Sequence, residues 1–341
     1  MSFKKISKIP TKEEIFDLLP LDKNLKNIKL QNDKEIKNIL SSKSNKMLVI
    51  IGPCSADNEK SVCEYLDMLY KINEQVKEKL FIVPRIYTSK PRTTGDGYKG
   101  MIHQHNINSS PSMKDGIIAI RKLDIKIIKN YGFPIADEML YTFSYPFFED
   151  LLSYVAIGAR SVENQQHRIM ASGIDCAIGM KNPINGDIST MFNAIYTAQK
   201  THNFIYDGYE VNTTGNIFTH GILRGSVDLD GNHCPNYYYE SLLNIANLYN
   251  KSNLKNKSLI IDANHSNSGK VFYKQPEIVK DVLKSINKNN DLKNIIKGFM
   301  IESYIKEGSD CTGKTYGKSI TDPCLNIDDT KKLLFNLAEY I

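Results

Sequence analysis

No stretch of the 341-residue chain approaches the roughly 18 continuous apolar residues that a membrane helix needs. The opening residues, MSFKKISKIPTKEE, are basic but lack the apolar stretch of a secretory signal, so a cytoplasmic location is expected. Cys-x-x-Cys pairs are absent. The six cysteines (Cys54, Cys63, Cys176, Cys234, Cys311, Cys324) follow no regular spacing, which argues against a disulfide framework and a Cys-rich zinc site. A P-loop is lacking too. So are blocks of one charge: 44 basic and 38 acidic residues leave a net charge of +6, with lysines scattered along the chain. That pattern reads as a solvated surface, not a nucleic-acid footprint.

The chain is 41% hydrophobic, ample for a large core. Residues 1–46 are polar, Lys-rich and helical in pattern. Thr11 and Glu14 form a capping-box signature, and Ile36, Ile39 and Leu40 share one helix face. This region reads as an appended N-terminal arm. From Met47, short apolar runs alternate with amphipathic segments of helix length. The runs are MLVIIG, LFIVPRIY, FPIADEM, YVAIGA, CAIGMK, FTHGILRG, LIIDANH and IKGFMIES. Alternating strands and helices imply a parallel sheet, and continuous apolar runs imply strands covered on both faces. Eight such units make residues 47–341 a (β/α)8 TIM barrel, with a doubly wound open sheet as the second architecture. NFIYDGYEVNTTGN, before the sixth run, reads as an inserted β-hairpin with turn chemistry at TTGN.

Barrel enzymes build their sites at the C-terminal ends of the strands. Here nearly every run ends in a charged or ligating residue, although a buried strand should not carry unpaired charge into a core. In chain order these are Cys54; Arg85, Lys90 and Arg92; Asp137 and Glu138; Arg160; Lys181; Arg224; Asp262 and His265; Glu302, then Asp322. One or two could be salt bridges, but charged or ligating residues at the strand ends all round the barrel point to a convergent site. Arg85, Lys90, Arg92, Arg160, Lys181 and Arg224 suit more than one anionic group, such as two phosphates and a carboxylate. Cys54, His265, Glu302 and Asp322 make a mixed thiolate, imidazole and carboxylate shell that suits manganese, iron, cobalt or zinc. Gly95, Gly97 and Gly100 match G-x-G-x-x-G, but polar and basic residues surround them. They read as a substrate loop, and neither a nicotinamide nor a nucleotide cofactor is expected.

In this order, IIGPCS, KPRTT, IGARSVENQQHR, HGILRGS, DANHSNSGK and YGKSITDPC resemble the motifs of the class I, feedback-regulated 3-deoxy-D-arabino-heptulosonate 7-phosphate (DAHP) synthases. The resemblance covers nearly the whole chain. It implies a transferase that condenses phosphoenolpyruvate with erythrose 4-phosphate and releases phosphate, the first step of the shikimate pathway of aromatic amino acid biosynthesis. It further implies one divalent metal on Cys54, His265, Glu302 and Asp322. Arg85, Arg160, Lys181 and Arg224 would hold phosphoenolpyruvate, and Lys90, Arg92 and Thr93 would meet erythrose phosphate. Lys90, Glu138, Lys181 and His265 would form the catalytic set, with Glu138 near the attacking water and Lys90 donating a proton to the developing alkoxide. An aromatic amino acid effector and a homodimer or homotetramer, with the arm packed on a neighbouring subunit, are also implied. Nucleic-acid and membrane partners are not expected. The chain departs from the family pattern at GDGYKG, at DANH and in a shorter hairpin. The competing readings are a sister synthase for another sugar phosphate, a metal-dependent aldolase that releases no phosphate, and a non-catalytic binding barrel.

Overall fold

The computed structural model describes residues 2–92, 94–105 and 110–341. All eight apolar runs form parallel barrel strands: β1 (Met47–Gly52), β2 (Leu80–Pro84), β3 (Ala136–Glu138), β4 (Tyr154–Ile157), β5 (Ala177–Lys181), β6 (Thr219–Leu223), β7 (Leu259–Asp262) and β8 (Ile296–Glu302). Their spatial order is β2-β1-β8-β7-β6-β5-β4-β3. The seam between β2 and β3 is narrow. There Arg85 bridges to Ala136, and Ile86 N donates to Ala136 O at 2.8 Å. The strands are short and almost wholly buried, because side chains pack inside the barrel and against the helices outside it.

The helices start where their capping residues allow. Thr11 and Glu14 close both halves of the capping box of α1 (Lys12–Leu18). Asp22 caps α2 (Lys23–Leu40) by accepting from Leu25 N at 2.8 Å. The outer layer comprises α3 (Glu59–Val76), α4 (Met113–Tyr131), α5 (Gln165–Ala171), α6 (Ile188–Ala198), α7 (Tyr239–Lys251), α9 (Gln275–Lys288), α10 (Asn290–Ile295) and α11 (Ile327–Tyr340). The single turn α8 (His265–Ser268) sits at the barrel mouth.

Two elements add to or differ from the sequence reading. First, α2 packs one face on the barrel of its own chain. Its Ile36, Ile39 and Leu40 are fully buried in one cluster with Leu48, Ile50, Tyr154, Ile222 and Met300, the inward side chains of the barrel. A helix face that looked partnerless in sequence stoppers the barrel floor, at about 2 kcal/mol for each fully buried aliphatic side chain. Residues 2–9, outside any helix or strand, are exposed, with Phe3 92% and Ile6 95% accessible. Second, the inserted hairpin pairs Asn203–Tyr206 with Tyr209–Asn212, so its turn is Asp207-Gly208 and not TTGN. Both turn residues have positive φ, 50° and 81°, as a two-residue hairpin turn twisted with its strands demands.

Candidate active site

The strand ends converge on a cleft of about 490 Å³ at the C-terminal mouth of the barrel. Cys54, Lys90, Arg92, Glu138, Arg160, Lys181, Arg224, His265 and Asp322 all line it. Arg85 and Glu302 lie beneath its floor, both fully buried. Thr93 lies outside the described residues.

Pro53 ends β1 and turns the buried Cys54 inward, where Lys90 Nζ stands 3.3 Å from its Sγ. Glu302, at the end of β8, is held on both oxygens. Oε1 accepts from Arg85 Nη2 at 2.9 Å and Oε2 from Asn264 Nδ2 at 2.5 Å. Gln275 fixes the Glu302 backbone by accepting from its N at 2.8 Å and donating to its O at 2.9 Å. Asp322 is salt-bridged to Lys270 at 3.0 Å. Burial opposes its ionisation, but His265 and Lys270 outweigh that and hold the carboxyl at about 2.

Asp262 was legible as a charged strand end, but its task was not. Its Oδ2 lies 3.2 Å from Lys181 Nζ and 2.8 Å from His265 Nδ1, the latter a close contact whose angles fall outside a hydrogen bond. Burial would raise its pKa, yet His265 and Lys181 hold it far below the ordinary carboxylate range. The other ring nitrogen of His265, Nε2, lies 3.9 Å from Glu302 Oε1. His265 adopts φ of 50°, an uncommon conformation for a non-glycine residue and one often met at functional sites. Asn264, Lys270 and Asn182 were also missed. Asn182 joins the β5 and β6 loops, donating to Gly225 O at 2.9 Å and accepting from Arg224 N at 2.9 Å.

The donor set fits a divalent metal. Single ligand atoms of Cys54, Glu302 and Asp322 lie within 4.8 Å of one another; His265 falls outside that group, its Nε2 3.9 Å from Glu302 Oε1. One sulfur, one nitrogen and carboxylate oxygens are the mixture a borderline cation takes. Burial, and then the Glu302 carboxylate, push the Cys54 thiol above its ordinary value against the pull of Lys90. A bound cation would reverse that and hold the thiolate.

Across the cleft, Glu138 ends β3 beside Gly158. A Cβ at Gly158 would come within 2.2 Å of Glu138 Oε1, so this glycine leaves the room the carboxylate occupies. The guanidinium of Arg92 is steadied by Tyr98 O at 2.7 Å. Among the described residues, none of Arg92, Arg160 and Arg224 has a carboxylate at ion-pairing distance. Burial, and then the neighbouring Arg160, lower the Arg224 pKa from its ordinary value, with Asp262 opposing. Such a cation cluster is relieved by anions.

A second cleft, of about 480 Å³, lies between the inserted hairpin, α2 and α5. Tyr145, Phe204 and Tyr206 give it aromatic walls; Lys29, Glu149 and Asp175 give it charges of both signs.

Fold and mouth together define a (β/α)8-barrel enzyme for small anionic substrates. More particularly, the chain belongs to the DAHP synthetase I family, whose family model matches residues 26–335. It is similar to the Phe-sensitive phospho-2-dehydro-3-deoxyheptonate aldolase of Escherichia coli K12, at 35% identity over 100% of this chain and 97% of that protein. The Trp-sensitive enzyme of the same strain is 34% identical over 90% and 88%. The solved structure of the phospho-2-dehydro-3-deoxyheptonate aldolase of Francisella tularensis SCHU S4 superimposes with a TM-score of 0.91 at 32% identity, covering 100% and 98% of the two chains. No helix among the described residues is long and apolar enough to cross a membrane.

Proposed function

We propose that this chain condenses phosphoenolpyruvate with D-erythrose 4-phosphate to DAHP and releases phosphate. The observation that carries this reading is the set of cations without carboxylate partners sharing one barrel mouth with a Cys/His/Glu/Asp donor set. Arg160, Lys181 and Arg224 hold the phosphate and carboxylate of phosphoenolpyruvate from one side. Arg85 supports this from below, with Nη1 free of any partner among the described residues. Lys90 and Arg92 receive the sugar phosphate from the β2 side, and Thr93 belongs to the same motif. Fixing both substrates at attack distance removes much of the entropic barrier to a two-substrate step. A divalent metal, when bound, would be held by Cys54, His265, Glu302 and Asp322 and would supply Lewis-acid polarisation of the aldehyde.

Carbon 3 of phosphoenolpyruvate forms the new bond to the aldehyde carbon. Water adds at carbon 2, and phosphate leaves from there with its bridging oxygen. Glu138 holds the attacking water, and Lys90 gives its proton to the alkoxide formed at the former aldehyde. Purified protein supplied with Mn²⁺ and both substrates should consume phosphoenolpyruvate and release phosphate in equal amounts. Phosphate release without the aldose, or equal turnover with arabinose 5-phosphate, would overturn the assignment.

Feedback inhibition by an aromatic amino acid is part of the same proposal. The hairpin cleft pairs aromatic walls with Lys29 for a carboxylate and with Glu149 and Asp175 for an ammonium group.

A further inference from the structure

The ring of Tyr87 lies beneath two of the cations assigned to substrate. The Arg85 guanidinium carbon is 4.0 Å from its centroid, and Lys90 Nζ is 5.3 Å away. All three side chains are buried. A desolvated cation over an aromatic face is attracted far more than one at the surface. The anchors of these cations differ. Arg85 Nη2 donates to Glu302 at 2.9 Å and to Cys54 O at 3.5 Å, its Nε donates to Pro53 O at 3.3 Å, and Nη1 has no partner among the described residues. Lys90 has Cys54 Sγ. Both cations also touch Cys54, Arg85 Nη2 through its O at 3.5 Å and Lys90 Nζ through its Sγ at 3.3 Å, but the Tyr87 ring is the flat face over which both lie.

The ring itself is pinned. Its hydroxyl donates weakly to Met300 Sδ at 3.6 Å. The following residue is fastened to β3, because Thr88 N donates to Asp137 Oδ1 at 3.0 Å and Thr88 Oγ1 donates to Oδ2. That clamp sits beside the narrow barrel seam, so the segment carrying Tyr87 and Lys90 moves with β3 and therefore with Glu138.

We infer that Tyr87 is a positioning residue: its π face sets the height and spacing of Arg85 and Lys90, and thereby the distance between the two bound substrates. The inference rests on the proposed roles of Arg85 and Lys90. It assigns the hydroxyl no part in substrate binding, so the effect should follow the electron density of the ring.

The test replaces Tyr87 by Phe and by phenylalanines carrying one, three and five ring fluorines, which weaken the π face while nearly preserving shape. Steady-state kinetics are measured with each substrate varied in turn on the Mn²⁺-loaded enzyme. Tyr87→Phe should keep both KM values within about twofold. Successive fluorination should raise KM for phosphoenolpyruvate or erythrose 4-phosphate progressively, reaching about tenfold, with thermal midpoints nearly constant. Flat KM values across the series would overturn the positioning role. Arg85→Ala and Lys90→Ala run alongside. If neither alters KM or kcat, the substrate assignment itself has failed. If both do while the fluorinated series is flat, only the role of Tyr87 has failed.

Discussion

Replacing Gly158 by alanine tests how closely the Glu138 carboxylate is placed. The added Cβ would sit 2.2 Å from Oε1, and ordinary contact begins at 3.4 Å, so the carboxylate must withdraw by about 1.2 Å. The group displaced is the mobile end of a side chain, so the cost in stability should be small. The functional cost should not be. Misplacing a reacting group by about 1 Å is enough for roughly a 100-fold loss of rate. Gly158→Ala should therefore lower kcat about 100-fold, with KM changed far less and the thermal midpoint near that of the parent. A double-mutant cycle isolates the route. In a Glu138→Ala background the alanine at 158 has no carboxylate to push, so its effect should shrink to a fewfold. A full 100-fold loss in that background would refute the reasoning, as would full activity of the single variant.

Three further outcomes are expected. His220 on β6 is fully buried, with Nδ1 donating to Phe218 O and Nε2 accepting from Tyr154 OH at 2.8 Å; burial lowers its pKa from 6.5 to about 4. A lowered histidine pKa means its stabilisation is complete above pH 6.5 and is lost as pH falls toward 4, by about 3 kcal/mol in all. Denaturant midpoints across that window should fall less steeply for His220→Gln than for the parent. Cys54→Ala should stay folded by circular dichroism while losing bound Mn²⁺ and turnover together; full activity would remove the thiol from the donor set. In a thermal-shift screen of phenylalanine, tyrosine and tryptophan, one should raise the midpoint of the parent, and Lys29→Ala should abolish that shift; none shifting would sink the effector reading.

Much of the architecture was legible because parallel barrel strands are covered on both faces and so read as unbroken apolar runs. The charges at their ends stood out against that background, which is why Cys54, Lys181 and Glu302 could be named before any geometry was known. What escaped depends on neighbours distant in sequence. Asp262 acquires its task only when β5 brings Lys181 beside it and α8 brings His265. Gln275 and Asn264 matter only because β8 delivers Glu302 between them. The destination of Ile36, Ile39 and Leu40 was hidden for the same reason: an amphipathic helix announces that it packs, but not on what. The hairpin turn was misplaced because TTGN and Asp-Gly both carry turn chemistry, and only strand register decides between them.

The placement of α2 bears on how the protein is made. Ile36, Ile39 and Leu40 emerge from the ribosome early, yet their cluster includes Ile260 and Met300 near the far end of the chain. At about 5–20 residues per second, the stopper waits on the order of 13 to 50 seconds for the last walls of the socket it fills. Throughout that interval the apolar face of α2 has no complete barrel to cover it, so α2 is where a holding chaperone would find its grip.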